Sequence, residues 1–427
     1  MEHALQQLKQ QLYQTSWPDE PGFRRLCVPI SLSRDGDPLT WLASQPHFPQ
    51  FYWQQRNGDD EAAALGALKP FSSLTDAQGF IQRVDVPDLR VWGLNAFNPQ
   101  QGSLFLARLE WRRNAGSAWL CLHLWSDASL RDDARGAADF LDGLCAVKPL
   151  APLNLRLQKE HHLPDEKGWA QRVRLAVQAI HQQEFDKVVL ARASDLHFNR
   201  SVNATALMAA SRRVNLGCYH FYIAFSAQQA FLGSSPERLW RRIGNALHTE
   251  ALAGTVANHP DDHRAWALGK WLLADDKNQR ENLLVVEDIC QRLEHISNGL
   301  DILPPQVVRL RKVQHLRRCI WTTLYKADDA LCLRQLQPTA AVAGLPREAA
   351  RVFIGEHEPF TRDWYAGSAG YLSRQQTEFC VALRSAQVTG KTVRLYAGAG
   401  IVAGSDPLQE WQEIENKAAG LRTLLCR

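Results

Sequence analysis

The order of helical and extended segments in this chain of 427 residues predicts an α+β fold. Extended, hairpin-like segments follow Lys187–Ala193 and recur at Thr361–Val388 and Thr392–Ala397, with helical patterns scattered between them. A doubly wound sheet would alternate each strand with one helix. The single glycine pattern that resembles a dinucleotide-binding turn also fails to match that motif, as described below.

The individual elements support this prediction. Two alternating segments in the first part of the chain read as strands, and a capped periodic segment from Asp165 and Trp169 reads as a helix. The expected elements are strands at 91–97, 118–125, 187–193 and 307–316 and helices at 132–144, from 169, at 266–293 and at 407–425. Residues 148–168 are rich in Pro, Leu and charge and poor in Gly and Ser, so they indicate a boundary between parts 1–150 and 151–427 and not a flexible linker.

The composition favours a small-molecule partner. Hydrophobic residues make up 45% of the chain and charged residues 22%, which is typical of a globular protein. A formal net charge of +4 among so many acids and bases leaves no basic footprint for nucleic acid or an anionic membrane. The nine cysteines are scattered singly and the first residues lack an apolar leader, so we expect reduced thiols, a cytoplasmic location and no membrane span.

The segment GAGIVAG lies between a strand and a helix, which is the setting of a dinucleotide fingerprint. Its third glycine, Gly404, comes one residue late for that motif. We therefore interpret the segment as a glycine-rich turn. With Pro407 at the first helical position, such a turn would offer free N–H donors to an anion such as a carboxylate.

Two acidic residues of the last helix, Glu410 and Glu413, lie on one face with Lys417, beside the apolar stripe and not opposite it. The simplest interpretation is a solvated face with a Glu413–Lys417 pair. That pair would be worth only ~0.3–0.5 kcal/mol. A second acidic site nearby would favour a metal site instead.

The segment DDKNQRENLLVVEDIC, residues 275–290, supplies such a site. Its LLVV run predicts a helix buried on all sides, with Glu281 and Asp288 on a shared face. A buried carboxylate must be paired or bound to a cation, so Glu281 is expected either to bridge to Lys277 or Arg280 or to bind a metal. Acids from two helices would form the incomplete oxygen shell that Mg²⁺ accepts.

Other reactive groups are weaker signals when taken alone. Lys187 opens the strand KVVLARA, and Glu237 lies in the loop GSSPERL, where an edge charge and a turn are the ordinary interpretations. The Gly254–Thr255 turn could donate N–H and hydroxyl groups, while His315 by default is a satisfied histidine on a strand.

Nine segments taken together resemble, in one order, the chorismate-utilising enzyme family. They are KVVLAR (187–192), GSSPERL (233–239), LAGT (252–255), DDKNQRENLLVVEDI (275–289), VQHL (313–316), LQPTAAVAGLP (336–346), WYAGSAGY (364–371), LRSA (383–386) and GAGIVAGSDPLQEWQEIENKA (398–418). The N-terminal part, including FYWQQRN (51–57), resembles the isochorismate synthases of menaquinone biosynthesis. The resemblance implies one large α+β unit of two packed antiparallel sheets surrounded by helices.

The resemblance also implies roles for particular residues. Glu281 and Glu413, with Glu410 close by, would hold Mg²⁺, and Lys187 would be the base that activates water for attack at C2 of chorismate. Glu237 would protonate the departing C4 hydroxyl, which requires a raised carboxyl pKa. The expected substrate-binding residues are Gly254, Thr255, His315, Ala341, Tyr365, Arg384, Gly398 and Lys417.

The same resemblance separates the possible activities. Lys187 favours water over ammonia, so no glutaminase subunit is expected. Ala341 stands where relatives that eliminate pyruvate tend to carry threonine, which favours isochorismate as the product. A salicylate synthase is the alternative enzyme. A binding protein without activity is the other alternative, but such a protein would be expected to lose one of the catalytic or Mg²⁺-binding residues.

Overall fold

Strand pairing dominates the computed structural model, which describes residues 1–30 and 36–426. The helices in these residues are α1 (Glu2–Gln14), α2 (Pro38–Ala43), α3 (Leu74–Val84), α4 (Leu130–Asp142), α5 (Glu166–His181), α6 (Ala204–Val214), α7 (Asp262–Ala274), α8 (Asp276–Leu293), α9 (Asp329–Leu336), α10 (Arg347–His357) and α11 (Pro407–Leu425). The first ten strands are β1 (Gly22–Ile30), β2 (Gln50–Gln54), β3 (Asp60–Phe71), β4 (Val91–Asn95), β5 (Gly102–Asn114), β6 (Ser117–Ser126), β7 (Leu157–Leu163), β8 (Lys187–Phe198), β9 (Tyr219–Ser226) and β10 (Gln229–Ser235). The others are β11 (Arg238–Ile243), β12 (Ala246–Ala257), β13 (Ser297–Ile302), β14 (Gln306–Arg309), β15 (Val313–Leu324), β16 (Gly344–Leu345), β17 (Ser368–Leu372), β18 (Gln376–Val381), β19 (Ser385–Thr389) and β20 (Thr392–Ile401).

Two branches of antiparallel strands leave β5, which pairs with β3, β4 and β6. One branch runs through β3, β2, β9, β10, β19, β20 and β8. The other runs through β4, β17, β18, β11, β12 and β15. The α+β class is therefore confirmed, with strands from the first 150 residues paired to strands from the rest of the chain.

Aromatic side chains pack the two branches face to face. Phe51 of β2 lies 5.7 Å from Trp92 of β4, and Trp53 of β2 lies 6.2 Å from Tyr371 of β17, as measured between ring centroids. Alternate residues of β2 and β9, including Tyr52 and Tyr222, pack into a second core with α2 and α6. This period of two lets β2 and β9 contribute to a core on each face of their branch.

Two details of the fold differ from the sequence expectation. The predicted helix 266–293 is two helices, broken at Asp275, whose side chain caps α8 at the Asn278 N–H. The predicted strand 307–316 is divided between β14 and β15 by a turn. The predictions of α5 with its Asp165 cap and of α11 with Pro407 in its first turn are confirmed.

The expectation of reduced thiols is wrong for one pair of cysteines. Cys27 and Cys121 form a disulfide, because β1 and β6 pair in the register that sets these two residues directly opposite. They are 94 residues apart in sequence, so spacing alone gave no sign of the contact. Among the described residues, no helix combines the length and apolar character needed to cross a bilayer.

Candidate active site

One cavity gathers most of the predicted site residues. Its wall includes Glu237, Gly254, Thr255, Glu281, His315, Ala341, Tyr365, Arg384, Gly398 and Lys417. Glu410 and Glu413 line an adjoining cavity, which shares Thr255, Glu281 and Gly400 with the first. Every predicted substrate-binding residue therefore lies in the first wall, and the predicted metal ligands lie at or beside its junction with the second cavity.

Lys187 meets Glu281 where β8 and β20 run side by side. Its Nζ lies 3.0 Å from Glu281 Oε1, and the lysine side chain is buried. Gly400 of β20 lies against both groups, since a Cβ atom there would approach Glu281 Oε1 to 2.7 Å and Lys187 Cε to 2.8 Å. Any side chain at this position would have to displace the lysine or the carboxylate.

This geometry corrects the expected partner of Glu281. The sequence offered Lys277 or Arg280 as partners within the same helix, but the carboxylate pairs across the fold with Lys187. Lys277 lies instead 3.9 Å from Glu410. Antiparallel pairing of β20 with β8 produces the contact, because it brings the start of β8 beside the end of β20, where α8 passes.

Glu237 is a buried carboxyl in the short loop between β10 and β11, as predicted. Burial, followed by the nearby Glu250 carboxylate, raises its pKa from the ordinary 4.5 to about 8, although Lys187, Lys417 and Arg384 act in the opposite direction. The loop is held at its backbone, because the Val381 N–H donates to the Glu237 carbonyl at 3.0 Å. The carboxyl is therefore mostly protonated at neutral pH, as a general acid must be.

His315 links the glycine turn to Arg384. An Arg384 guanidinium nitrogen lies 2.6 Å from His315 Nε2, and His315 Nδ1 lies 3.0 Å from the Thr255 hydroxyl. Because arginine can only donate, the imidazole accepts through Nε2 and carries its proton on Nδ1. Burial and the cations Arg384 and Lys417 lower the pKa of His315 well below 6.5, which keeps the ring neutral. Arg384 itself has a left-handed backbone with φ of 49°, a strained conformation often found at functional sites.

The opposite side of the cavity carries Lys417 and two stacked tyrosines. Lys417 Nζ donates to the Gly398 carbonyl at 2.9 Å and lies 2.6 Å from Glu413 Oε1, so the predicted i,i+4 pair is confirmed. The rings of Tyr365 and Tyr396 stack with centroids 5.0 Å apart. Together with Arg384, Lys417 makes this cavity a suitable environment for a carboxylate ligand.

The expected glycine-rich turn is largely wrong. Gly398 and Gly400 lie within β20, paired opposite Ala191 and Val189, and the turn begins only after Ile401. The N–H groups of Leu408 and Gln409 are not free for an anion, because the Asp406 side chain accepts from both. The N–H of Thr255 likewise donates to the Asn278 side chain at 2.9 Å. These glycines therefore provide space for side chains and not a cradle of N–H donors.

The acidic groups of α8 and α11 differ from one another in burial and partners. The prediction that α8 is buried on all sides is wrong, since Leu283 is 43% exposed. Asp288 is buried but pairs with Arg292 at 2.6 Å, which gives it a structural role. Glu410 is 5% exposed, and burial together with Glu413 and Glu281 raises its pKa to about 7. Carboxylates therefore repel one another at this junction.

The donor set suits Mg²⁺ in its chemistry. Glu281, Glu410 and Glu413 offer carboxylate oxygens to one cavity from two helices, and their mutual repulsion would be relieved by a divalent cation. In the described part of the chain, however, no three acidic, histidine or cysteine side chains are gathered closely enough to form a ready-made metal site. Glu281 and Glu413 are each paired with a lysine instead.

Sequence reasoning missed three residues near the site. Tyr396 stacks on Tyr365 in the cavity wall, and its position two residues before the GAG motif was an available signal. Glu250 is buried on β12 beside Glu237, and Arg56 reaches it from the turn between β2 and β3. The last two could not be found by spacing, because 194 residues separate them in sequence.

Comparisons with known proteins find relatives along the whole chain. The family described as chorismate binding enzyme matches residues 95–426. The isochorismate synthase MenF of Escherichia coli is 64% identical over all of this chain and 98% of its own length. The isochorismate synthase MenF of Haemophilus influenzae is 40% identical over 91% of this chain and 89% of its own. A solved structure of the menaquinone-specific isochorismate synthase from Escherichia coli has a TM-score of 0.97 and covers 99% of both chains at 64% identity.

Proposed function

This chain belongs to the family of chorismate-binding enzymes, and we propose that it is a Mg²⁺-dependent isochorismate synthase that supplies menaquinone biosynthesis. The observation that carries the proposal is Glu237, a buried carboxyl whose pKa is raised to about 8 in the wall of a cation-rich cavity. The names of the relatives support the product and the pathway.

The proposed reaction is a balanced exchange of hydroxyl groups. A water molecule adds its oxygen at C2 of chorismate and gives one proton to Lys187. The ring double bonds shift, the C4–O bond breaks, and Glu237 gives its proton to the departing hydroxyl, which leaves as water. The product, isochorismate, is an isomer of the substrate, and return of the proton from Lys187 to Glu237 restores the enzyme.

The surroundings of these groups bear on their roles. Glu237 is an effective acid because its carboxyl still carries a proton near neutral pH. Lys187 can act as a base only when uncharged, so its 3.0 Å ion pair with Glu281 must be broken before it accepts a proton. Arg384 and Lys417 would hold substrate carboxylates, since both line the cavity.

Glu281 and Glu413, with Glu410 beside them, are the residues that would hold Mg²⁺. When bound, the ion would orient the ring carboxylate of the substrate and stabilise negative charge. Because water is the proposed nucleophile, the reaction needs no glutaminase subunit. We further propose that chorismate is the small-molecule partner and that the enzyme works in the cytoplasm.

The test is incubation with chorismate and MgCl₂, followed by chromatography of the products. Isochorismate without pyruvate is the expected result, whereas salicylate with pyruvate would identify the eliminating alternative and overturn the proposal. Tight binding of chorismate without turnover would identify a binding protein. Calorimetric titration of the protein with MgCl₂ tests the metal separately, and a Glu281→Gln variant that binds the ion as tightly as the unmodified protein would contradict the assignment of ligands.

A further inference from the structure

A buried ion pair spans the two parts of the chain next to Glu237. Arg56, in the turn between β2 and β3, donates to Glu250 of β12 through both terminal nitrogens, at 2.6 and 2.8 Å. The Glu250 side chain is fully buried and that of Arg56 is 16% exposed. A two-point arginine–carboxylate contact of this kind fixes both orientation and distance.

This pair holds the residues on both sides of the catalytic acid. Arg56 donates to the Pro236 carbonyl at 3.0 Å, and the Arg238 N–H donates to Glu250 Oε1 at 2.8 Å. Glu237 is the single residue between these two contacts. Its backbone therefore cannot shift unless a charge-assisted hydrogen bond to Arg56 or Glu250 breaks.

The turn that carries Arg56 is itself held in place. The Arg56 guanidinium lies over the ring of Tyr219 at 5.3 Å, and the Tyr219 hydroxyl donates to Glu378 at 2.8 Å. Gln55, the neighbour of Arg56, donates to the other oxygen of Glu378 at 2.6 Å. Arg56 is therefore presented by a rigid support and not by a mobile loop.

We propose that Arg56 and Glu250 are positioning residues for Glu237, fixing its loop and setting the charge beside its carboxyl. This inference rests on the proposed function, in which Glu237 is the general acid. It also gives the first 150 residues a part in the reaction, since Arg56 belongs to them.

The charges around Glu237 explain why Glu250 is needed. Lys187 of β8, Lys417 of α11 and Arg384 all favour the ionised carboxylate of Glu237, whereas the negative charge of Glu250 favours its protonated form. Glu250 is kept ionised in turn, because Arg56 and the backbone and side chain of Arg238 lower its pKa against the effect of burial. Without that charge, burial alone would oppose the effect of the three cations on Glu237.

The charge is tested by the pH dependence of kcat/KM for chorismate, whose alkaline limb reports loss of the proton from Glu237 in the free enzyme. In Glu250→Gln the limb should move to lower pH by about one unit or more. In Glu250→Asp, which keeps the charge, it should stay near its original pH. Identical limbs in Glu250→Gln and the unmodified enzyme would overturn the charge-setting role.

Positioning is tested by Arg56→Lys, which keeps the charge but loses the two-point contact. We expect kcat to fall about tenfold or more with little change in KM, because the acid is misplaced while the substrate-binding residues are untouched. An unchanged kcat would overturn this part of the inference.

Asp133→Asn is the matched control for Glu250→Gln, since Asp133 also receives two contacts from one arginine, Arg108, and one from a backbone N–H, that of Trp125. It should move neither the limb nor kcat.

The outcome remains separable from that of the proposed function. If the unmodified enzyme makes no isochorismate, the function fails, and the charge on Glu237 is then measured without substrate. Melting temperatures are measured across pH for two pairs of proteins. One pair is the unmodified protein and Glu237→Gln, and the other is Glu250→Gln and the double variant Glu237→Gln with Glu250→Gln. In both backgrounds the difference in melting temperature should begin to grow near pH 4.5. In the Glu250→Gln background it should stay smaller and level off at a lower pH. An equal difference in both backgrounds would overturn the inference. If Glu250→Gln does not fold, a comparison of Glu250→Asp with Arg56→Lys still tests positioning.

Discussion

Replacing Glu237 with glutamine should make the protein more stable while removing its activity. The folded protein holds this carboxyl with a pKa of about 8, against 4.5 in ordinary surroundings. Between these pH values the carboxyl is ionised in the unfolded chain but stays neutral in the folded protein. Its contribution to the free energy of unfolding is therefore fully present below pH 4.5 and is lost as the pH rises to about 8. Glutamine is similar in shape and has no such loss.

The size of the effect follows from the two pKa values. Each pH unit between the two pKa values lowers the free energy of unfolding of the unmodified protein by about 1.4 kcal/mol. At pH 7 the variant should therefore be more stable by about 3 kcal/mol. A chain of 427 residues unfolds with an entropy on the order of 0.9 kcal/mol/K, which converts this gain to about 3–4 °C in melting temperature.

Scanning calorimetry at several pH values from 5.5 to 8.5 measures the effect. The difference in melting temperature between Glu237→Gln and the unmodified protein should grow steadily with pH and level off above about pH 8. Glu287→Gln, at an exposed position on α8, is the control and should give a difference that does not change with pH. A difference for Glu237→Gln that is equally constant would refute the idea that burial keeps this carboxyl protonated.

Three further variants test other parts of the site. Lys187→Ala should lower kcat by about 10²–10⁴-fold, as expected for loss of a general base, and full activity would exclude that role. Glu413→Gln should weaken Mg²⁺ binding in a calorimetric titration, whereas an unchanged affinity would remove Glu413 from the ligand set. Gly400→Ala should reduce activity severely in steady-state assays, because its methyl group would approach Glu281 Oε1 to 2.7 Å and disturb the pair with Lys187. An active Gly400→Ala enzyme would show that this close contact is not required.

Local patterns allowed much of the fold to be predicted. The last helix, its proline and the Asp165 cap of α5 were readable because caps and helical periods involve residues a few positions apart. The glycines of β20 were misread for the same reason. A local pattern cannot distinguish a glycine that frees a turn from one that leaves room for side chains arriving from β8 and α8.

Partners of the charged residues were harder to predict than the residues themselves. Glu281 was recognised as a carboxylate in need of a cation, but its partner Lys187 is 94 positions away in sequence. Asp288 had the same pattern and proved to be structural, paired with Arg292 one turn along. Local sequence marks the charge, while antiparallel strand pairing decides which distant charge it meets.

The sequence by itself determined the α+β class, the family and many of the residues that line the cavity, because these follow from residue type, period and motif. Only the tertiary structure decided that Glu237 is buried among Lys187, Lys417, Arg384 and Glu250, and that Arg56 reaches its loop from the first part of the chain. The protonation of a carboxyl depends on the solvent it loses and the charges it gains in three dimensions. Those quantities exist only once the strands have paired.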